Sequence, residues 1–510
     1  MSARYPVNPD TPHNALVRYN PVTQIFLSIK HTVHTPSVIV VLILLLIFFL
    51  TARGFCGWIC PIGTGLDIFN RLLGKRIRRI NRDVRPSTLR IKYIIFLCTI
   101  ILLFAGVSIY WLIDPTSMFT RNTALFIYPL VDTVVRESTR VLSGIPKIGY
   151  DIERAMRAIF NPLPVISVYF WLFTVLLISV FLFEIIAKRF FCKVLCPLGA
   201  FLGFIASVSP LRLLVVHDNC TLCRNCIKDC RTSALEFEDN VKLNESECVM
   251  CLKCLESCNF NALKVRFGQF TRSAPSITYG RNRRDLVTGI VSAIVLLPLF
   301  KLTGRIIKRP DNLIRPPGAI DESIFSEICA KCGSCMKVCY TSGIQPVMFE
   351  SGLDSIFTPR MDFDHGFCGY ECNDCGNVCP TGAITPLQLE IKRKVVIGIV
   401  ETNHDTCWPW AEKKACLTCE EFCPIPEKAI ELEDRPIILE DGTPDIIKLP
   451  HVVKENCIGC GICQRQCPVT PVKAIRIIHE GETRGGEYRQ TEPRKRRENF
   501  TTNEPTKWTS

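Results

Sequence analysis

Histidine is scarce in this chain, with eight in 510 residues, and none falls inside its long apolar runs. That excludes a bis-histidine haem within those runs, and the absence of any C-x-x-C-H excludes covalent haem attachment. No glycine-rich dinucleotide or P-loop fingerprint is present, so a self-contained NAD(P)H or flavin oxidoreductase is excluded as well. The start has no charged-then-apolar signal peptide. Basic residues exceed acids, for a net charge of +13. They flank apolar runs instead of interleaving with aromatics, so no nucleic acid partner is expected.

Cysteine is what the chain has in excess. Of 29 cysteines, 24 fall into six groups of four. Dispersed cysteines would suggest a disulfide scaffold, but grouped ones indicate metal ligation by thiolates. Cys220, Cys223, Cys226 and Cys230 recur 28 residues later as Cys248, Cys251, Cys254 and Cys258. Three ligands in one tight loop and a fourth that reaches across is how bacterial-type ferredoxins hold two [4Fe–4S] clusters. On that rule Cys258 completes the first set and Cys230 the second. Zinc is the competing reading, but zinc sites use two ligand pairs set well apart.

Four more groups follow: Cys329, Cys332, Cys335, Cys339; Cys368, Cys372, Cys375, Cys379; Cys407, Cys416, Cys419, Cys423; and Cys457, Cys460, Cys463, Cys467. Pro380, Pro424 and Pro468 directly follow the last cysteine of their groups, stiffening the turn that carries the reaching ligand. Six groups predict six clusters.

Two further pairs stand apart. Phe55-Cys56-Gly57-Trp58-Ile59-Cys60-Pro61-Ile62-Gly63 recurs as Phe191-Cys192-Lys193-Val194-Leu195-Cys196-Pro197-Leu198-Gly199. Helical spacing would put both thiols of a pair on one face. Proline after the second cysteine suits the first turn of a following helix. These four thiols are candidates for a seventh cluster or a redox-active pair. Cys98, alone in an apolar run, reads as core.

Apolar runs over residues 36–52, 93–113 and 165–187 read as membrane spans. Residues 53–92 carry ten Lys/Arg against two acids and residues 114–163 six against five, which places the first loop in the cytoplasm and the second outside. Arg281-Asn282-Arg283-Arg284-Asp285 precedes a short apolar run, residues 286–300, which reads as a twin-arginine signal and fourth crossing. The expected fold is a multi-pass α-helical membrane domain joined to α+β bacterial-ferredoxin-like domains. Its parts are an N-terminal tail (1–36), a membrane domain (37–212), a cytoplasmic two-cluster ferredoxin (213–267), a linker (268–303), a periplasmic four-cluster domain (304–480) and a disordered tail (481–510). The expected location is the cytoplasmic (inner) membrane.

The paired C-x3-C-P motifs followed by a twin-cluster ferredoxin resemble the NapH-type membrane ferredoxins (NapH, MauN and NosR). The stretch from Arg283-Arg284 through Leu313-Ile314-Arg315-Pro316-Pro317-Gly318 and the next four groups resembles the NapG and MauM type. The resemblance implies a fusion of the two that oxidises quinol from the quinol pool. It implies an acceptor that is a periplasmic reductase or c-type cytochrome, with a cytoplasmic redox partner for the inner module. It also implies nested ligand sharing, Cys329, Cys332, Cys335 with Cys467 and Cys368, Cys372, Cys375 with Cys423; spacing alone leaves sequential sharing open. Tyr340 stands where proline follows the last cysteine in the family. Glu184, the one acid well inside an apolar run, is the candidate proton acceptor for quinol. Asp114, His31 and His34 are weaker candidates. The alternative function is an accessory protein for maturing or reactivating a reductase, without quinol turnover.

Overall fold

The structure is a computed structural model, and it describes residues 12–30, 35–72, 86–142, 169–237, 240–267, 283–306, 313–438 and 444–484. Residues 1–11, His31, His34, Arg281, Asn282, most of the C-terminal tail and parts of the two long loops lie outside the described residues.

Helices dominate the first 206 residues: α1 (Pro12–Arg18), α2 (Pro21–Lys30), α3 (Thr35–Thr51), α4 (Gly54–Trp58), α5 (Pro61–Leu72), α6 (Ile91–Phe104), α7 (Pro115–Asn122), α8 (Phe170–Ile186) and α9 (Pro197–Ala206). The Cys-Pro steps work as the sequence suggests. Pro61 opens α5, and Pro197 opens α9 behind Cys196, whose Sγ accepts the Gly199 N–H at 3.2 Å. A proline in the first turn gives up no hydrogen bond, because that N–H has no helical partner anyway.

The α6 helix is 14 residues, about 21 Å long. It ends where Gly106 turns left-handed (φ +89°), and a Cβ there would fall 2.4 Å from Glu327 Oε1. Asp114 then caps α7 by accepting the Thr116 and Ser117 N–H groups. A 24-residue helix, α10 (Arg283–Ile306), carries Pro298 in its interior and packs along α6.

The cysteine-rich parts form antiparallel strand pairs. In residues 211–267, β1 (Leu211–Val215) pairs with β4 (Leu263–Phe267), and β2 (Leu235–Phe237) with β3 (Val241–Leu243). In residues 399–478 the same nesting returns: β7 (Ile399–Thr402) pairs with β10 (Ile475–Ile478), and β8 (Ile430–Ile438) with β9 (Pro444–Val452). Between them, β5 (Ile344–Pro346) pairs with β6 (Pro359–Met361) inside an outer bridge of Ala319 to Ile384. Each unit therefore closes on itself, its last strand beside its first.

One apolar core joins the helices to the residues beyond Leu313, running from Val17 and Phe26 through Tyr110, Trp111 and Phe173 to Phe325, Ile397 and Ile477. Residues 211–267 keep their own core of Leu213, Leu235, Val241 and Leu263. Cys98 is buried with Leu102, Val107 and Ala293, as a core residue should be.

The membrane expectation is corrected. Among the described residues no helix is long and apolar enough to cross a membrane. The α3 and α8 helices have 17 residues each, about 26 Å against a hydrocarbon core of about 30 Å. Gly106 breaks the second expected span. Placement as a multi-pass inner-membrane protein, with modules on opposite sides, falls with it. Pro115, expected at the outer edge, lines the same hollow as Cys56 and Cys192, expected at the inner edge. Apolar side chains stay exposed along α3, α8 and α10, among them Leu42, Leu46, Val175, Leu182, Ile294 and Val295.

Candidate iron–sulfur centres

The ferredoxin cysteines gather as their spacing predicts. Cys220, Cys223, Cys226 and Cys258 line one hollow, with Val215, Arg224 and Leu263. Cys230, Cys248, Cys251 and Cys254 line the next, with Leu213, Leu235 and Val249. Pairing of β1 with β4 brings the end of the unit back to its start, so each fourth cysteine reaches the other run. The middle cysteine of each run is flanked by left-handed residues, Leu222 and Arg224 in the first and Met250 and Leu252 in the second. Lys331 and Gly333 around Cys332, and Gly459 and Gly461 around Cys460, repeat this. Such backbone costs a non-glycine residue roughly 1–2 kcal/mol and bends the loop around the hollow.

In the four-cluster part the thiols that lie together are those of a sequential arrangement, not a nested one. Burial, then Cys332, Cys329, Cys379 and Cys375, push the Cys335 thiol well up. Cys375 is raised by burial and then by Cys368, Cys372 and Cys339. Cys379 thus lies beside the first group and Cys339 beside the second. Cys407, Cys416 and Cys419 line a hollow with Cys467, and Cys457, Cys460 and Cys463 line one with Cys423. The nested arrangement is overturned because β7 pairs with β10 inside residues 399–478, so each pair of groups closes its own unit.

The C-x3-C-P cysteines converge too. Cys56, Cys60, Cys192 and Cys196 line a single hollow with Arg53, Arg189, Pro115 and Val249. Cys56 lies in α4 and Cys192 in a single π turn, Phe191–Leu195. Arg53 is buried and its guanidinium donates to Ser246 O at 2.5 Å and Glu247 Oε2 at 3.3 Å. Lys92, also buried, joins the same carboxylate. Arg189 donates to Asp67 Oδ2 at 2.8 Å, to Cys56 O at 3.1 Å and to Gly63 O at 3.3 Å, and Arg231 meets Asp67 at 2.5 Å. Burial works against the Arg53 charge, but Glu247 and then Cys56, Tyr93 and Cys196 outweigh it and raise its pKa.

These cations escaped the sequence reading, although a signal existed. Arg53 and Arg189 each stand three residues before the first cysteine of their motif, so the repeat extends to R-x-F-C-x3-C-P. Lys392 was missed as well; its Nζ donates to the Gly369 and Tyr370 carbonyls, and Cys368, Cys372 and Cys375 raise its pKa against burial.

Glu184 is buried, with 1% of its surface exposed. Its carboxylate accepts the Arg189 N–H at 2.8 Å and Asn70 Nδ2 at 3.1 Å, so it holds the turn that carries Arg189. Burial raises its pKa. Asp114 is fully buried and accepts from Tyr110 and Asn20, each at 3.0 Å, which makes it a cap within the core instead of an edge residue.

Successive thiol sets follow one another through the fold. Cys254 feels Cys226 across the ferredoxin. Val249 lines both the second ferredoxin hollow and the C-x3-C-P hollow. Pro115 lines the latter, and α7 leads from it to Arg121, which donates to Lys331 O at 3.4 Å beside Cys332. Cys335 neighbours Cys375, the Cys368 N–H donates to Cys460 O at 2.8 Å, and Cys463 neighbours Cys419.

The donor sets suit clusters better than single ions. A tetrahedral zinc needs four sulfurs about 2.3 Å from one point. Among the described residues, no three His, Cys, Asp or Glu side chains form a group that could hold a single metal ion. The cysteines ring hollows instead.

Residues 33–80, 166–214 and 375–396 match a family model described as "4Fe-4S binding domain". The chain is 35% identical over 188 residues to the methylamine utilization ferredoxin-type protein MauM of Paracoccus denitrificans, covering 36% of this chain and 78% of that protein. To the MauM of Methylorubrum extorquens it is 31% identical over 217 residues, 41% of this chain and 94% of that one. To the ferredoxin-type protein NapG of Escherichia coli it is 32% identical over 210 residues, 39% of this chain and 85% of that one.

Proposed function

Because the chain belongs to the family of ferredoxin-type proteins that includes MauM and NapG, we propose that it is an electron carrier with at least six [4Fe–4S] clusters. Multiple clusters follow from the family; the count of six is our reading of the 24 grouped cysteines. A cluster held by four cysteines takes up and returns one electron without moving a proton. The chain's own part is to supply thiolates, exclude water and offset their charge. Apolar walls such as Leu213, Leu235 and Ile458 do the second, and Lys392, Lys331 and Arg121 do the third.

The neighbour order of the thiol sets carries this reading. Sites meant for separate partners would have no reason to follow one another in this way, through the shared wall of Val249, the α7 helix and the Cys368 to Cys460 hydrogen bond. The finer parts are proposed with it: a NapH-like first half, a quinol as electron donor, and a reductase or c-type cytochrome as acceptor.

The test is anaerobic purification followed by iron analysis and reduction. About four irons per cluster predict at least about 24 per chain, and zinc-dominated metal would sink the proposal. Dithionite should bleach the visible absorption, and a soluble quinol analogue should do so too. If dithionite succeeds and the quinol fails, the donor assignment is wrong and the accessory reading, repair or maturation of a reductase, takes its place.

A further inference from the structure

We infer that Cys56, Cys60, Cys192 and Cys196 hold a seventh [4Fe–4S] cluster, which joins the two-cluster module to the four-cluster part as one unbroken relay. This rests on the electron-carrier reading above and adds a site to it. Four thiols from two sequence repeats line one hollow, the same donor set as in the ferredoxin hollows. Both segments that supply them lie within residues matched to a 4Fe-4S binding domain.

Charge supports the assignment independently. An oxidised four-iron core held by four thiolates carries two negative charges, and such charge is not buried without compensation. Arg53 and Lys92 share Glu247, and Arg189 and Arg231 share Asp67. Each trio has two cations and one carboxylate, a surplus of one positive charge, and the buried Glu184 beside Arg189 is offset by the buried Lys193. Together the two trios match the cluster. A pair of neutral thiols or a disulfide would leave both surpluses unopposed, with Arg53 and Arg189 buried in the core.

Position gives the site its role. Val249 separates it from the hollow of Cys230, Cys248, Cys251 and Cys254. On the other side α7, eight residues and about 12 Å long, leads to Arg121 beside the Cys329 set. Tunnelling falls off exponentially with distance, so an empty hollow here would split the relay into two arrays. Ligation forms four Fe–S(Cys) bonds and releases four thiol protons. Each electron passed is lost by the Cys248 set and gained here, then lost here and gained by the Cys329 set. No bond breaks and no proton moves.

The test uses the full chain purified anaerobically with its clusters. Wild type should carry about 28 irons, and Cys192→Ser/Cys196→Ser about four fewer. Iodoacetamide followed by mass spectrometry covers the case where that variant does not fold. In the wild-type holoprotein these four cysteines should resist labelling until acid strips the iron, then label fully. About 24 irons with ready labelling of the four, or a reductant-sensitive Cys–Cys crosslink among them, overturns the seventh cluster and leaves six standing. Far less iron overturns both readings.

Discussion

The backbone N–H of Cys368 donates to the carbonyl of Cys460 at 2.8 Å. Residues 92 positions apart, each in its own closed unit, are thereby held with their sulfur ligands side by side. The bond fixes the step between the two units of the four-cluster part without sharing any ligand between them.

Sequential ligand exchange predicts what one lost ligand exposes. In Cys467→Ser, iodoacetamide should label Cys407, Cys416 and Cys419, while Cys329, Cys332 and Cys335 stay protected. Labelling of the Cys329 set instead would restore the nested arrangement.

Glycine at 461 is required twice over. Its φ is +77°, and a Cβ would lie 1.9 Å from Phe363 Cδ1. Gly382, at φ +75°, has nothing within 4 Å of its added Cβ. Gly382→Ala should cost about 1 kcal/mol from backbone alone, and Gly461→Ala roughly 1–3 kcal/mol more from overpacking. Thermal unfolding of the two variants, side by side, measures the difference.

Removing the carboxylate between two buried cations should be severe. Glu247→Ala leaves Arg53 and Lys92 facing each other without their shared carboxylate. We expect a loss of roughly 3–5 kcal/mol in chemical denaturation. A loss under 1 kcal/mol would show that water reaches this trio.

The same trio sets a pH dependence. Burial, against the pull of Glu247, lowers Lys92 from the ordinary 10.5 to about 8. Between those values the unfolded chain binds more protons than the folded one, so this group makes stability rise with pH across that window and adds no slope below it. Melting temperatures at pH 7.5 and 9.5 should therefore show a gain in wild type that Lys92→Gln lacks.

Asp114 is a helix cap with extra duties. Asp114→Asn keeps a capping oxygen and should be mild, whereas Asp114→Ala should cost about 1–2 kcal/mol for the cap. It also strands the Tyr110 hydroxyl and Asn20 amide that now donate to it. Equal effects of the two substitutions would argue against the cap.

Cysteine spacing by itself determined which hollows Cys230 and Cys258 would line, since three thiols in a tight loop leave the fourth only one place to reach. It also set the C-x3-C-P repeat apart, and marked the proline after each as a helix start. Apolar runs misled, because length and hydropathy say nothing of a break such as Gly106 or of how helices close on one core. Ligand sharing around Cys423 and Cys467 was decided by the four-residue strands β7 and β10, which meet only through tertiary pairing. So was the convergence of Cys56 with Cys192, and the balance of Arg53 and Arg189 by Glu247 and Asp67. Local spacing records which residues can bind a metal; only the packed fold decides which of them stand together, and what charge surrounds them.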